Sequence, residues 1–407
     1  MRILFLSNFY PPYNIGGYEQ RCQEVAEQLM EKGHNCCVLT STWQRDKSHS
    51  LSQKSYVRRQ LTLEAHLDYY RPLDFFVNRK HREKKNLIIL QETIRQFMPD
   101  VIFVWGMWNL SRSLPNVCEQ SGIPVVYSLS DYWPVDLDIH TAFWKKVKRP
   151  FAKLLAHFAL AQLRREKHST NLKFQHAITV SQAVKDRLIQ GGLSLEPATV
   201  IHGGIDVAAF NPKPSHRNSD SFDLVYVGGL GSHKGVDTII SALNYLQQQN
   251  FPEKLTLTII GSGHPNDEKM LLQQVQEYKL QDQIQFVGRK PRSKIPSLLT
   301  QFDALVFPSK WAEPLARTPM EAMSMQIPVI GTNTGGSAEL FCDGQNALIF
   351  SAGNALELAD CIRRLVQQPE LAQKLAHSGR QTILAHFTLE RMVTDLETYL
   401  YRTIEAI

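Results

Sequence analysis

The stretch from Trp311 to Glu339 reads W-A-E-P-L-A-R-T-P-M-E-A-M-S-M-Q-I-P-V-I-G-T-N-T-G-G-S-A-E. It sets two carboxylates, Glu313 and Glu321, eight positions apart, follows them with an apolar run at Pro328 to Ile330, and closes on Gly335-Gly336 with a further acid at Glu339. The apolar run predicts a strand. Glu321-Ala322-Met323 are good helix formers and Pro319 suits a first turn, where no N–H is required, so a helix is expected just after Pro314. Glu321 then lies near the positive end of that helix. A second reading makes Thr318 an N-cap with Pro319 at N1 and Glu321 reaching back to the cap, a capping box with no chemistry attached.

Outward from this stretch the chain alternates strands and helices. Upstream, Leu224 to Val227 reads as a strand, Gly228 to Gly235 as a glycine-rich loop, and Ile239, Ile240, Leu243 and Leu246 as the buried face of a helix. Such a loop lets backbone N–H groups at Gly228, Gly229 and Gly231 approach phosphate oxygens, and Lys234 supplies a cation. Further strands are expected at Leu255, at Ile284 to Gly288 and at Ala304 to Pro308. The N-terminal half repeats the pattern. Arg2 to Ser7 is a strand, and Cys22, Val25, Ala26, Leu29 and Met30 mark a helix that Gly33 ends. Asn35 to Ser41, Val101 to Trp105, Ile123 to Leu129 and Ala177 to Val180 follow as strands, and the alternation argues a parallel sheet. Gly16-Gly17, just before the first helix, reads either as a plain turn or as a second anion-binding loop. Asp131 sits in the loop Ser130 to Pro134, beyond a strand end, where open α/β sheets place ligand-binding groups. Residues 44–86 show no clear period, and the cluster Arg79, Lys80, Arg82, Lys84 and Lys85 reads as solvated helix surface.

A chain of 407 residues is too long for one ordinary core. Pro212, Pro214 and a run of Ser and Asn place a linker at residues 210–221, giving an N-terminal domain at 1–209, a C-terminal domain at 222–387 and a terminal helix at 388–407. Hydrophobic content of 43% and charged content of 21% are those of a soluble globular protein. A net charge of +6 comes with no nucleic-acid motif, so no nucleic-acid partner is expected. The six cysteines show neither C-x-x-C pairs nor metal-ligand spacing, which favours buried thiols in a reduced, cytoplasmic setting. Asp136-Leu137-Asp138 matches a metal-binding D-x-D pattern and equally an ordinary polar loop; no metal is expected. Thr141 to Phe174 carries nine Lys and Arg against the one acid Glu166, with Leu154, Leu155 and Phe158 interleaved. That stretch suits peripheral contact with an anionic membrane, or a helix pair with a solvated basic face.

The E-P-L-A-R-T-P-M-E-A-M segment, followed by a buried strand and a Gly-Gly-x-x-Glu loop, resembles the C-terminal signature of retaining nucleotide-sugar glycosyltransferases of family four. P-x-x-G-G after the first strand, I-T-V-S-Q-A-V-K-D-R-L, and T-V-I-H-G-G-I-D are similar to other elements of that family. The resemblance implies a GT-B fold, two Rossmann-like doubly wound α/β domains facing across a cleft with the C-terminal helix crossing back to the first. It implies transfer of a hexose-type sugar, with retention, from a UDP- or GDP-linked donor to a glycan, lipid-linked or small-molecule acceptor, with no cofactor. Residue by residue it makes Glu313 the ligand of the sugar, with the Leu315, Ala316 and Arg317 amides nearby, and Glu321 the ligand of the ribose. Lys234 and the Gly228 to Gly231 amides hold the diphosphate, joined by Gly16 and Gly17, and Gly288 and Arg289 contact the base. The chain departs from the pattern at Ser130, where the family has His, and at Gly229, where it has Arg. A nucleotide-sugar epimerase or hydrolase of the same fold and a catalytically impaired nucleotide- or glycan-binding protein are the alternatives.

Overall fold

The computed structural model describes residues 1–13, 15–44, 54–67, 69–169, 172–212 and 221–406, so most of the linker expected at 210–221 lies outside the described residues. Contacts divide the chain into two units. The first comprises Met1–Val180, Val184–Ile201 and Val393–Ile407; the second comprises Ser181–Ala183 and His202–Met392.

Among the described residues the first unit holds seven parallel strands: β1 (Arg2–Ser7), β2 (Asn35–Ser41), β3 (Val57–Leu61), β4 (Val101–Gly106), β5 (Val125–Leu129), β6 (His176–Thr179) and β7 (Thr199–Val200), in the order β3-β2-β1-β4-β5-β6-β7. Ile3 lies opposite Cys36 on one side and Val101 on the other. All six residues of β4 and all five of β5 are buried, as expected for strands covered by helices on both faces. β3 carries no apolar alternation because Arg59 is buried within it. Its Nη1 donates to Tyr10 O (3.1 Å), its Nη2 donates to Pro11 O (2.5 Å), and its guanidinium lies 4.9 Å from the Tyr13 ring centroid. A satisfied buried cation thus interrupts the pattern that periodicity would detect.

The basic cluster at 79–85 is not uniformly solvated surface. Arg79 is buried at the start of helix Arg79–Phe97; its Nη2 donates to both oxygens of Glu166 at 2.7 Å, and its Nη1 lies 3.7 Å from Glu64. Lys84 and Lys85 are exposed as expected. At the C-terminus, Glu397 accepts from Lys32 Nζ (2.6 Å) and contacts His34 Nε2 (2.7 Å), and Tyr399 donates to Ala177 O (3.5 Å). Five cysteines are buried; Cys342 is the exposed exception to the expectation.

The second unit repeats the architecture with β8 (Ser221–Val227), β9 (Lys254–Ile260), β10 (Ile284–Phe286), β11 (Ala304–Phe307), β12 (Val329–Gly331) and β13 (Leu348–Ile349), all parallel, in the order β10-β9-β8-β11-β12-β13. Helix Val236–Gln248 buries Ile239, Ile240, Leu243 and Leu246 against this sheet, the face its spacing predicts. In each unit the first strand lies beside the fourth, and chain connections leave that pair in opposite directions. This switch point, between β1 and β4 and again between β8 and β11, opens a crevice at the carboxyl ends of the strands, where open α/β sheets bind ligands.

Candidate functional site

The second unit's switch point collects the charged residues that the sequence singles out. After β8 the chain runs through Gly228, Gly229 and Gly231 to a short turn, Ser232–Lys234, and then to helix Val236–Gln248. Two contacts fix the loop: Tyr226 Oη donates to Gly229 O (2.5 Å), and Leu230 N donates to Ser262 O (3.2 Å). Gly235 takes φ +75°, and a Cβ there would stand 2.0 Å from Pro308 O, so the loop and the end of β11 approach as closely as backbones can. Lys310 N donates to His233 O (2.9 Å) and tightens the same contact.

That approach brings Lys234 to Glu313. Lys234 Nζ donates to Glu313 Oε1 at 2.6 Å, Ser309 Oγ donates to the same oxygen at 3.0 Å, and the ammonium lies 5.3 Å from the Trp311 ring centroid. The Gly335-Gly336 turn holds the Glu313 backbone from behind: Gly336 N donates to Glu313 O (2.7 Å), and a Cβ on Gly336 would fall 1.9 Å from Pro314 O. Ser181 Oγ donates to Pro314 O (2.6 Å), and Glu339 accepts from the Gln182 and Ala183 amides (both 2.9 Å) and contacts His202 Nε2 (2.8 Å).

Helix Arg317–Ser324 starts with Ala316 as its N-cap, which overturns the capping-box reading: Thr318 lies inside the helix. Glu321 is buried, and its Oε1 accepts from Arg292 Nη2 (2.5 Å) and lies 3.5 Å from Arg317 Nε. Leu315 and Ala316 are buried beside it. Burying a carboxylate this deeply requires cations, and two guanidinium groups meet the need.

Arg292 is a site residue that the sequence reading missed. It follows Arg289 and Lys290 in R-K-P-R, and nothing local distinguishes it; only folding closes the 29-residue separation to Glu321. Gly288 has φ +69° and its carbonyl accepts from Gly261 N (3.1 Å), while Arg289 is exposed. Gly229, standing where the resemblance expects Arg, is exposed, and a Cβ there would meet only Ser262 O at 4.0 Å. No steric demand keeps it glycine.

The first unit's switch point is acidic. Gly16 is extended and caps helix Gly17–Glu31; its N–H donates to Glu19 Oε2 (2.9 Å), so the chain's own carboxylate occupies this amide in place of the phosphate expected there. Tyr18 Oη donates to Asn8 Oδ1 (2.6 Å), passing over Gly106 at the end of β4, where a Cβ would clash with both. Asp131, in the loop after β5, accepts from Trp133 N (3.3 Å). Burial, reinforced by Glu19, pushes its carboxyl up to about 7. Of the D-x-D acids, Asp138 accepts from Thr141 N (2.8 Å) as a helix N-cap and Asp136 lies 3.5 Å from Arg187.

A stability prediction follows from Asp131. Unfolded, an aspartate titrates near its ordinary value of about 3.9, so between there and about pH 7 the folded chain holds a proton that the unfolded chain has lost. The associated stability is complete in acid and is lost as pH rises through 7. Asp131→Asn is therefore expected to raise the melting temperature at about pH 8 and to leave it unchanged near pH 4. Melting curves at the two pH values test this; equal effects at both would refute the raised carboxyl.

Two doubly wound parallel units of this strand order define the GT-B fold. Sucrose-phosphate synthase from Thermosynechococcus elongatus superposes with a TM-score of 0.76 at 19% identity, covering 100% of this chain and 99% of that one. Anabaena HepE, solved in complex with UDP and glucose, gives 0.71 at 21% identity over 98% and 99%. Residues 15–209 match the family described as Glycosyltransferase Family 4, and residues 208–382 match Glycosyl transferases group 1. Mycobacterium tuberculosis glycogen synthase is 26% identical over 97% of this chain and 93% of its own length. The chain belongs to the family-four, group 1 glycosyltransferases.

Proposed function

We propose that the chain moves a hexose-type sugar from a UDP- or GDP-linked donor to a hydroxyl of a glycan, lipid-linked or small-molecule acceptor, with retention of configuration and without a divalent metal. The observation that carries this reading is the Lys234–Glu313 pair at the second unit's switch point, with Glu321 buried midway along the neighbouring helix Arg317–Ser324. An ammonium has three donors. One reaches Glu313, so Lys234 has capacity for diphosphate oxygens while it orients the carboxylate. Glu313 accepts from the hydroxyls of the transferred sugar, and Glu321, fixed by Arg292, accepts from the ribose. The Gly228 to Gly231 amides add donors toward the leaving diphosphate, whose growing charge they stabilise. Departure and attack take place on one face of the sugar, the leaving phosphate receiving the acceptor's proton. Leu315, Ala316 and Arg317 serve the sugar end, Gly288 and Arg289 the base end, and Asp131 the acceptor side.

The reading places the enzyme in the cytoplasm, with its basic stretch at 141–174 against an anionic membrane that presents the acceptor. UDP in the HepE structure and the sugar-transferring relatives support a nucleotide-sugar donor. A thermal-shift panel of nucleoside diphosphate sugars tests the core of the proposal, because a ligand that binds only the folded state raises its melting temperature. One UDP- or GDP-sugar is expected to raise it by several degrees; no response to any nucleoside diphosphate would overturn the reading.

A further inference from the structure

Two helices of the first unit expose apolar side chains that no described residue covers. Among the described residues the three most exposed large apolar side chains are Leu154 (78%), Leu73 (75%) and Val77 (72%), and Phe158 reaches 64%. They lie on helix Pro72–Val77 and helix Pro150–Ser169. Each helix already has an inward apolar face: Phe75 from the first and Ala156 and Ala159 from the second pack with Trp144. The outward residues are therefore a second apolar face, not a mispositioned core. Phe76 joins the two helices, its ring 6.2 Å from that of Phe158 and 5.6 Å from that of Trp144.

The charge around this face is predominantly positive: Asp74, the acid of the first helix, is paired with Arg82. Between residues 145 and 167 all eight Lys and Arg are exposed. The single acid of that segment, Glu166, is tied to Arg79 at 2.7 Å and to Lys80 at 3.0 Å. A second copy of the chain placed here would bring two cationic rims together, whereas an anionic lipid surface neutralises the rim as the apolar residues leave water. Among the described residues no helix is long and apolar enough to cross a membrane, so the geometry fits a helix pair lying in the interface.

We propose that helices Pro72–Val77 and Pro150–Ser169 form one insertion surface for an anionic bilayer, with Leu73, Val77, Leu154 and Phe158 entering the interface and the surrounding cations holding lipid headgroups. This deepens the membrane contact named under the proposed function and rests on it, replacing contact by charge alone with apolar insertion shared by two helices, the first of which lies outside 141–174.

Co-sedimentation of the full chain with vesicles tests it, using phosphatidylcholine alone and phosphatidylcholine mixed with phosphatidylglycerol. The wild-type chain is expected to pellet with the mixed vesicles only. L73S/L154S/F158S, which changes exposed positions and is expected to melt like the wild type, should bind the mixed vesicles roughly tenfold or more weakly. L73S alone should weaken binding measurably, which a surface confined to the second helix would not show. Unchanged binding by the triple variant, with K145E/K148E abolishing binding, would overturn insertion while leaving charge contact in place. No wild-type binding, or a change from dimer to monomer in the triple variant without lipid binding, would overturn the bilayer as occupant. The assay uses no sugar donor, so a chain that ignores vesicles yet responds to nucleotide sugars in the thermal-shift panel refutes the insertion surface and spares the transfer reading, and the reverse result does the opposite.

Discussion

Glu313→Gln is expected to lower kcat for donor turnover by about a hundredfold to a thousandfold, the range seen when one preorganised polar group is removed from a charge-stabilising site. The amide retains the size of the side chain and an oxygen that can accept from Ser309 and Lys234, so the fold and its melting temperature should change little. What is lost is the charge that orients Lys234, 2.6 Å away, and the acceptor strength offered to the sugar. Lys234→Ala should produce a loss of similar size. The double variant should be no worse than the weaker single, because paired groups that act as one unit are not additive. Glu321→Ala differs: it leaves Arg292 and Arg317 without their carboxylate and should act mainly through donor affinity, seen as a raised KM. Nucleoside diphosphate release measured over a range of donor concentrations separates the two effects. Unchanged rates in Glu313→Gln and Lys234→Ala would remove the site assignment.

Gly235→Ala is expected to cost about 3 kcal/mol or more of stability. Two costs combine there. A φ of +75° is unfavourable for a residue with a Cβ, typically by about 1 kcal/mol. The new methyl would also stand 2.0 Å from Pro308 O, a backbone atom anchored at the end of β11 that cannot swing aside. Gly344→Ala separates the two costs: its φ is +66° but nothing lies within 4 Å of the new methyl, so only the conformational term of about 1 kcal/mol remains. Urea unfolding of both variants, followed by a signal from the second unit, gives the comparison. Equal losses would mean that the contact between the glycine loop and the end of β11 is not tight.

Strands β1, β2, β4 to β6 and β8 to β12 are legible because parallel strands buried on both faces are short apolar runs, and the helices after β1 and β8 carry a 3.6-residue period, whereas the two-residue strands β7 and β13 are too short to show one. β3 is not legible, because its central Arg59 satisfies itself on the Tyr10 and Pro11 carbonyls, a contact about 48 residues distant that leaves no trace in local pattern. Arg79 misled in the opposite direction. It stands among five cations that read as solvated surface, yet its partners Glu64 and Glu166 arrive from distant parts of the chain and allow it to be buried.

At the candidate site the sequence by itself determined which residue types were available: a glycine loop with a lysine, a pair of carboxylates, and a Gly-Gly turn after a strand. These are local facts, set by backbone freedom and side-chain chemistry. The tertiary structure alone decided which charges meet. Parallel β8 and β11 lie side by side only after their intervening strands are placed elsewhere in the sheet, and that adjacency joins Lys234 to Glu313 across 79 residues; the segment after β10 then brings Arg292 to Glu321 across 29. The same holds at Gly16, whose amide turned out to be bonded to Glu19, and at Asp131, whose carboxyl is raised by a burial that no stretch of sequence displays. Pairing and desolvation depend on distance in space, and only the folded chain sets that distance.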